Sequence, residues 1–211
     1  MGEVSYASSE GSVRGYLAAP TGQGPGLWVV VIMDVFGMSS DLRQQCDRLA
    51  SRGYLALAPD LYSWGSKVTC IRATFAALRR GSGGAFEDID AARSWLAARA
   101  DCTDHVGVIG FCMGGGFALL AAPRYGFAAA SVNYGQVPQD ADRLLAGSCP
   151  IVASYGGRDR TLKGRAWRLE DTLQRLGVEH DIKRVPAGGA WVHEPSRGDL
   201  GDYATRLRHA L

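Results

Sequence analysis

A chain of 211 residues with 46% hydrophobic content has enough apolar material for one sizeable core, so a single domain over 1–211 is expected. Its 23 basic and 21 acidic residues leave a net charge of +2 without a basic stripe, and neither nucleic acid nor a membrane is expected as a partner. Five cysteines without C-x-x-C spacing, no apolar leader and no run of about 18 apolar residues point to a soluble protein of the reducing cytoplasm.

Weak alternation at Glu3 to Ala7 and at Val13 to Ala18, on either side of Ser9, Glu10 and Gly11, predicts an antiparallel hairpin. The continuous apolar run Leu27 to Met33 predicts a strand covered on both faces. Asp41 to Arg52 carries Leu42, Cys46 and Leu49 at helical spacing with Gly53 as a C-cap, and Tyr54 to Ala58 is the next strand, closed by Pro59 and Asp60. In the irregular segment 61–84 a helix is expected over Ile71 to Arg80, followed by a linker from Gly81 to Gly84. Phe86 to Arg99 is an amphipathic helix through Ile89, Ala92, Trp95 and Leu96. Val106 opens a strand that turns at Gly110 to Gly114 into a helix. Further strands follow at Ala128 to Val132, Pro150 to Tyr155 and His180 to Val185, with helices at Leu162 to Leu176 and Asp199 to Leu211. The alternation predicts a three-layer α/β fold with a mostly parallel central sheet and an N-terminal antiparallel hairpin.

Ligands of such sheets bind beyond the carboxyl ends of the strands, which singles out Asp34, Asp60, Cys112, Tyr134, Asp159 and His193. Cys112 stands at the tip of GFCMGGG, where small neighbours allow a sharp strand-to-helix corner. Cys112, Asp159 and His193 follow the chain order nucleophile, acid, histidine of α/β-hydrolases. A thiol is mostly protonated at neutral pH, so His193 is needed as its base and Asp159 to orient that histidine. Backbone donors for an oxyanion are expected from Met113, after the nucleophile, and from Val35, after the first parallel strand. Cys46, Cys70, Cys102 and Cys149 read as small buried hydrophobes, and Asp60 as a cap on the turn after Pro59. Asp34 is either a solvated loop carboxylate or a site group.

The segments MDVFGM (33–38), GYLALAPDLY (53–62), GFCMGGG (110–116), GGRD ending at Asp159 and HEPSR (193–197) together resemble the dienelactone hydrolase family over nearly the whole chain. The resemblance implies an α/β-hydrolase that opens small lactones or esters of acidic substrates, without a cofactor or a metal. It carries the catalytic cysteine, acid and histidine onto Cys112, Asp159 and His193, and the oxyanion donors onto Val35 and Met113. The family has a glutamate that pairs with the resting thiol, and Asp34 occupies its place, one methylene shorter. Two arginines that bind the substrate carboxylate correspond to Arg197 and, in the irregular segment, to Arg72 ahead of Arg79 and Arg80. A small-molecule substrate is the expected partner, and a monomer or homodimer the expected state. The alternative functions are a non-catalytic binding homologue and a thioesterase.

Overall fold

The alternation near the N-terminus folds as the expected hairpin. β1 (Gly2–Ser8) pairs antiparallel with β2 (Gly11–Ala18), setting Gly2 opposite Leu17 and Ser8 opposite Gly11. Tyr6 and Val13 stand opposite each other and are both buried, so one face of the hairpin belongs to the core. The computed structural model describes residues 2–9, 11–21, 27–100, 102, 105–156, 164–185 and 199–210. The backbone divides into two compact units, Met1–Gly107 and Val108–Leu211.

In the first unit the hairpin is followed by β3 (Leu27–Ile32), α1 (Ser40–Ala50), β4 (Tyr54–Pro59), α2 (Lys67–Arg80) and α3 (Gly84–Ala97). The strands lie in the order β1, β2, β4, β3, with β2 antiparallel and β3 parallel to β4. Every residue of β4 is buried, as a strand covered on both faces requires. α1 packs on β4 and β2, and α3 on β1, β3 and β4. Two helix starts differ from the sequence expectation. α2 begins at Lys67 rather than Ile71, because the Ser66 hydroxyl accepts the Thr69 N–H at 3.3 Å and caps a turn whose β-branched Val68 and Thr69 are weak helix formers. α3 begins at Gly84, inside the stretch read as a linker; Gly81, at φ 68°, ends α2 in the left-handed conformation only two residues before the Gly83 cap. α1 ends at Ala50, and Gly53, at φ 87°, turns the chain into β4 instead of capping the helix directly.

The second unit holds β5 (Val106–Phe111, from Val108 on), α4 (Met113–Ala121), β6 (Ala130–Asn133), α5 (Ala141–Leu144), β7 (Ile151–Gly156), α6 (Arg165–Arg175), β8 (His180–Val185) and α7 (Asp199–Ala210). Its strands run parallel in the order β5, β6, β7, β8, with Val108 opposite Ala130, Ala130 opposite Ile151 and Ile151 opposite His180. β5 extends to Phe111, directly against the corner, and β6 starts two residues later than expected but reaches Asn133. The short α5 was not signalled by apolar periodicity. All nine residues of α4 are buried, which fits a helix apolar around its whole circumference. The fold is thus α/β with a mostly parallel sheet and an antiparallel N-terminal hairpin. Among the described residues no helix is long and apolar enough to cross a membrane.

Candidate active site

At the junction of β5 and α4, Cys112 has φ 54° and ψ −113°, outside the ordinary regions for a residue with a side chain. Such a backbone costs on the order of 1–3 kcal/mol and persists only where its surroundings over-determine it. Here they do. The Cys112 N–H donates to the Asn133 carbonyl at 3.0 Å, and the Cys112 carbonyl accepts the Gly116 N–H at 3.3 Å. A Cβ on Gly110 would run into the Gly114 carbonyl, and one on Gly115 would sit 2.7 Å from the Asn133 carbonyl. A Cβ on Gly135 would in turn collide with the Gly115 carbonyl group. The glycines therefore let two backbone segments and a helix start meet behind one side chain. The Asn133 amide donates to the Gly110 carbonyl at 3.3 Å and fastens β6 to β5 below the turn. Tyr134, the next residue, also takes positive φ (43°), and its N–H donates to the Ser154 carbonyl at 2.8 Å.

The corner leaves Cys112 exposed at the head of α4, while Met113 is buried. Cys112 is thus open to solvent at the N-terminal end of α4. Cys46 and Cys149 show the opposite case: burial pushes each thiol up to about 12, where it is inert at neutral pH. Cys70 is buried and Cys102 half-buried, and none of the five cysteines is in a disulfide. Among the described residues no cluster of histidine, cysteine, aspartate or glutamate could hold a metal ion.

In the first unit, β3 ends in the turn 34–37. The Asp34 carbonyl accepts the Gly37 N–H at 3.2 Å, and Asp34 Oδ1 accepts the Phe36 N–H at 2.8 Å, an Asx turn superimposed on a β-turn. Gly37 has φ 83°, and a Cβ there would lie 2.9 Å from the Tyr62 ring. The Tyr62 hydroxyl donates to the Val35 carbonyl at 3.1 Å. Burial and the nearby Asp34 carboxylate push that hydroxyl up to about 12, so it remains a neutral donor. Tyr62 is held from below by Asp60, whose Oδ1 accepts the Tyr62 N–H at 3.0 Å while its Oδ2 accepts from Arg14 at 3.3 Å. Asp60 is thus the turn cap that its position after Pro59 suggests.

Of the residues expected at the site, Cys112 follows β5, Met113 opens α4, and Asp34 and Val35 follow β3. Arg72 is exposed on α2, whereas Arg80 lines a cavity of about 330 Å³ with Trp64, Thr74 and Asp88. Asp159, His193 and Arg197 lie outside the described residues. Tyr62 was not singled out as a site residue. It stands in the segment APDLY, but its link to Val35 joins residues 27 apart and no spacing rule signals it.

Comparison with known proteins agrees with this architecture. The model of the dienelactone hydrolase family matches residues 13–206. A protein of Methylorubrum extorquens named as a carboxymethylenebutenolidase is 27% identical over 214 residues, covering 93% of this chain and 73% of the relative. An Escherichia coli K12 protein named likewise is 28% identical over 207 residues, covering 89% of this chain and 76% of its own. The crystal structure of a dienelactone hydrolase from Anabaena variabilis superposes with a TM-score of 0.76 at 24% identity, over 99% of this chain and 94% of that one. A Klebsiella pneumoniae protein assigned to the same enzyme gives a TM-score of 0.83 at 24% identity, over 99% and 96%. These likenesses show an α/β-hydrolase fold, and with the family match the chain belongs to the dienelactone hydrolase family, whose members hydrolyse lactones or esters.

Proposed function

We propose that this enzyme hydrolyses small carboxylate-bearing lactones or esters through a Cys112, His193, Asp159 triad and an acyl-enzyme intermediate. The observation that carries the reading is the exposed Cys112 at a strained corner built from Gly110, Gly115 and Gly135. A fold retains about 1–3 kcal/mol of local strain where the strained residue is used. In the reaction, His193 takes the thiol proton as sulfur attacks the carbonyl carbon, and the tetrahedral oxyanion is met by the Val35 and Met113 N–H groups. Collapse breaks the C–O bond, and the histidine proton passes to the departing alkoxide. In a lactone that alcohol stays attached to the acyl group. Water, deprotonated by His193, then cleaves the thioester and restores the thiol. Asp159 orients the imidazole, and Asp34, in the place of the family's glutamate, assists the resting thiol. Arg197 and Arg72 bind the substrate carboxylate, for which a planar, permanently charged fork is suited.

Cys112→Ala should lower turnover of an aryl ester by at least about 10³-fold, since the triad acts as a unit. Turnover within tenfold of the wild type would reject the mechanism.

A further inference from the structure

We infer that Tyr62 is a positioning residue for catalysis, its hydroxyl fixing the turn that presents the Val35 N–H. The inference deepens the proposed reaction and rests on it, because Val35 matters only if its N–H meets an oxyanion.

A trans peptide sets its N–H opposite its C=O. The Asp34 carbonyl is taken into the turn by the Gly37 N–H, so the Val35 N–H, in the same peptide, points out of the turn. The next peptide is fixed at both of its polar atoms: the Phe36 N–H by Asp34 Oδ1 and the Val35 carbonyl by the Tyr62 hydroxyl. Of these bonds, the one from Tyr62 comes from outside the turn. The other two are internal to residues 34–37 and fix its shape. Tyr62 ties the turn to the end of β4, where it is itself anchored: its N–H is held by Asp60 Oδ1, its carbonyl accepts the Cys70 thiol at 3.6 Å, and its ring packs where Gly37 has no side chain. With only 8% of its surface exposed, the side chain has little room to relax. The hydroxyl's pKa, raised to about 12, keeps it a donor throughout the working range of an esterase. β3 and β4 are paired in parallel, so the tyrosine links the loops at two adjacent strand ends.

An oxyanion donor acts in the transition state more than in the ground state, so its misplacement lowers kcat with little effect on KM. Tyr62→Phe keeps the ring against Gly37 and removes only the oxygen. The expected result is a kcat about tenfold lower with KM within a factor of two, together with faster amide exchange at Phe36 and Gly37. Unchanged kcat, or an equal loss through KM alone, would overturn the inference, as would lowered kcat with unaltered exchange of those amides. Cys112→Ala assayed alongside separates the two claims. If it abolishes turnover while Tyr62→Phe is as active as the wild type, the positioning role fails and the thiol mechanism stands. If Cys112→Ala remains active, the thiol mechanism fails, and with it the catalytic role of the turn, whatever the exchange data show about its order.

Discussion

At Asp34, one side chain is asked to do two things. Its Oδ1 closes the Asx turn on Phe36, which is a structural task, and its charge is proposed to assist the resting thiol, which is a chemical one. Asparagine separates them, since its amide oxygen can accept the same N–H but carries no charge. Asp34→Asn is therefore expected to keep exchange protection at Phe36 and to lower kcat/KM about tenfold near neutral pH. Wild-type kcat/KM would reduce Asp34 to a turn residue. From sequence alone the two roles could not be told apart, because a carboxylate at a strand end satisfies either. Asp60 was readable as a cap for a simpler reason: Pro59 before it fixes the turn, and its oxygens are used by Tyr62 and Arg14.

Among the elements, α4 shows how far a close backbone approach depends on glycine. Its start is possible because Gly115 and Gly135 approach without side chains and Gly110 faces the carbonyl of Gly114. Gly115→Ala would place a methyl 2.7 Å from the Asn133 carbonyl, the group that accepts the Cys112 N–H. Overpacking of this kind against rigid backbone costs about 3 kcal/mol. The expected outcome is a lowered midpoint of urea unfolding with unchanged slope, and a wild-type midpoint would show that the corner yields easily. The strand and helix pattern was legible wherever apolar residues recur at one period, as in β3, β5 and α3. It failed at the start of α2, where the decisive signal was Ser66 as a cap, and at the start of α3, where two glycines form a helix junction that resembles a linker in composition. The Trp64 indole N–H, bonded to the buried Asp88 carboxylate at 2.8 Å, ties the segment before α2 to α3 through a contact 24 residues away. No periodicity reveals such a tie.

For the whole molecule, titration offers a test of the buried side chains in both units. Tyr62, Cys46 and Cys149 are each pushed up to about 12, from ordinary values of 10.0 for the tyrosine and 9.0 for the thiols, and burial raises Tyr6 and Tyr155 as well. A folded-state pKa above the unfolded one means that the unfolded chain releases these protons first. The stabilisation is full below pH 9 and is lost as pH rises through 12. Unfolding free energy should therefore fall steeply between these limits, and a flat profile to pH 12 would show that the groups ionise without unfolding. The α/β class and the strand-to-helix corner at Cys112 were readable from sequence because both are written in local spacing. The order of the strands, the Tyr62 link and the Asn133 support of Cys112 were not, because each depends on residues brought together by the sheet.

The central claim is that the Cys112 sulfur carries the acyl group. It is tested most directly by measuring turnover of an anionic aryl ester by the wild type and by Cys112→Ala, with intact-protein mass recorded on acid-quenched samples. The account predicts a transient acyl adduct on Cys112 in the wild type, and neither adduct nor turnover above about 10⁻³ of the wild-type rate in the variant. An adduct on another residue, or turnover that survives the substitution, would contradict it.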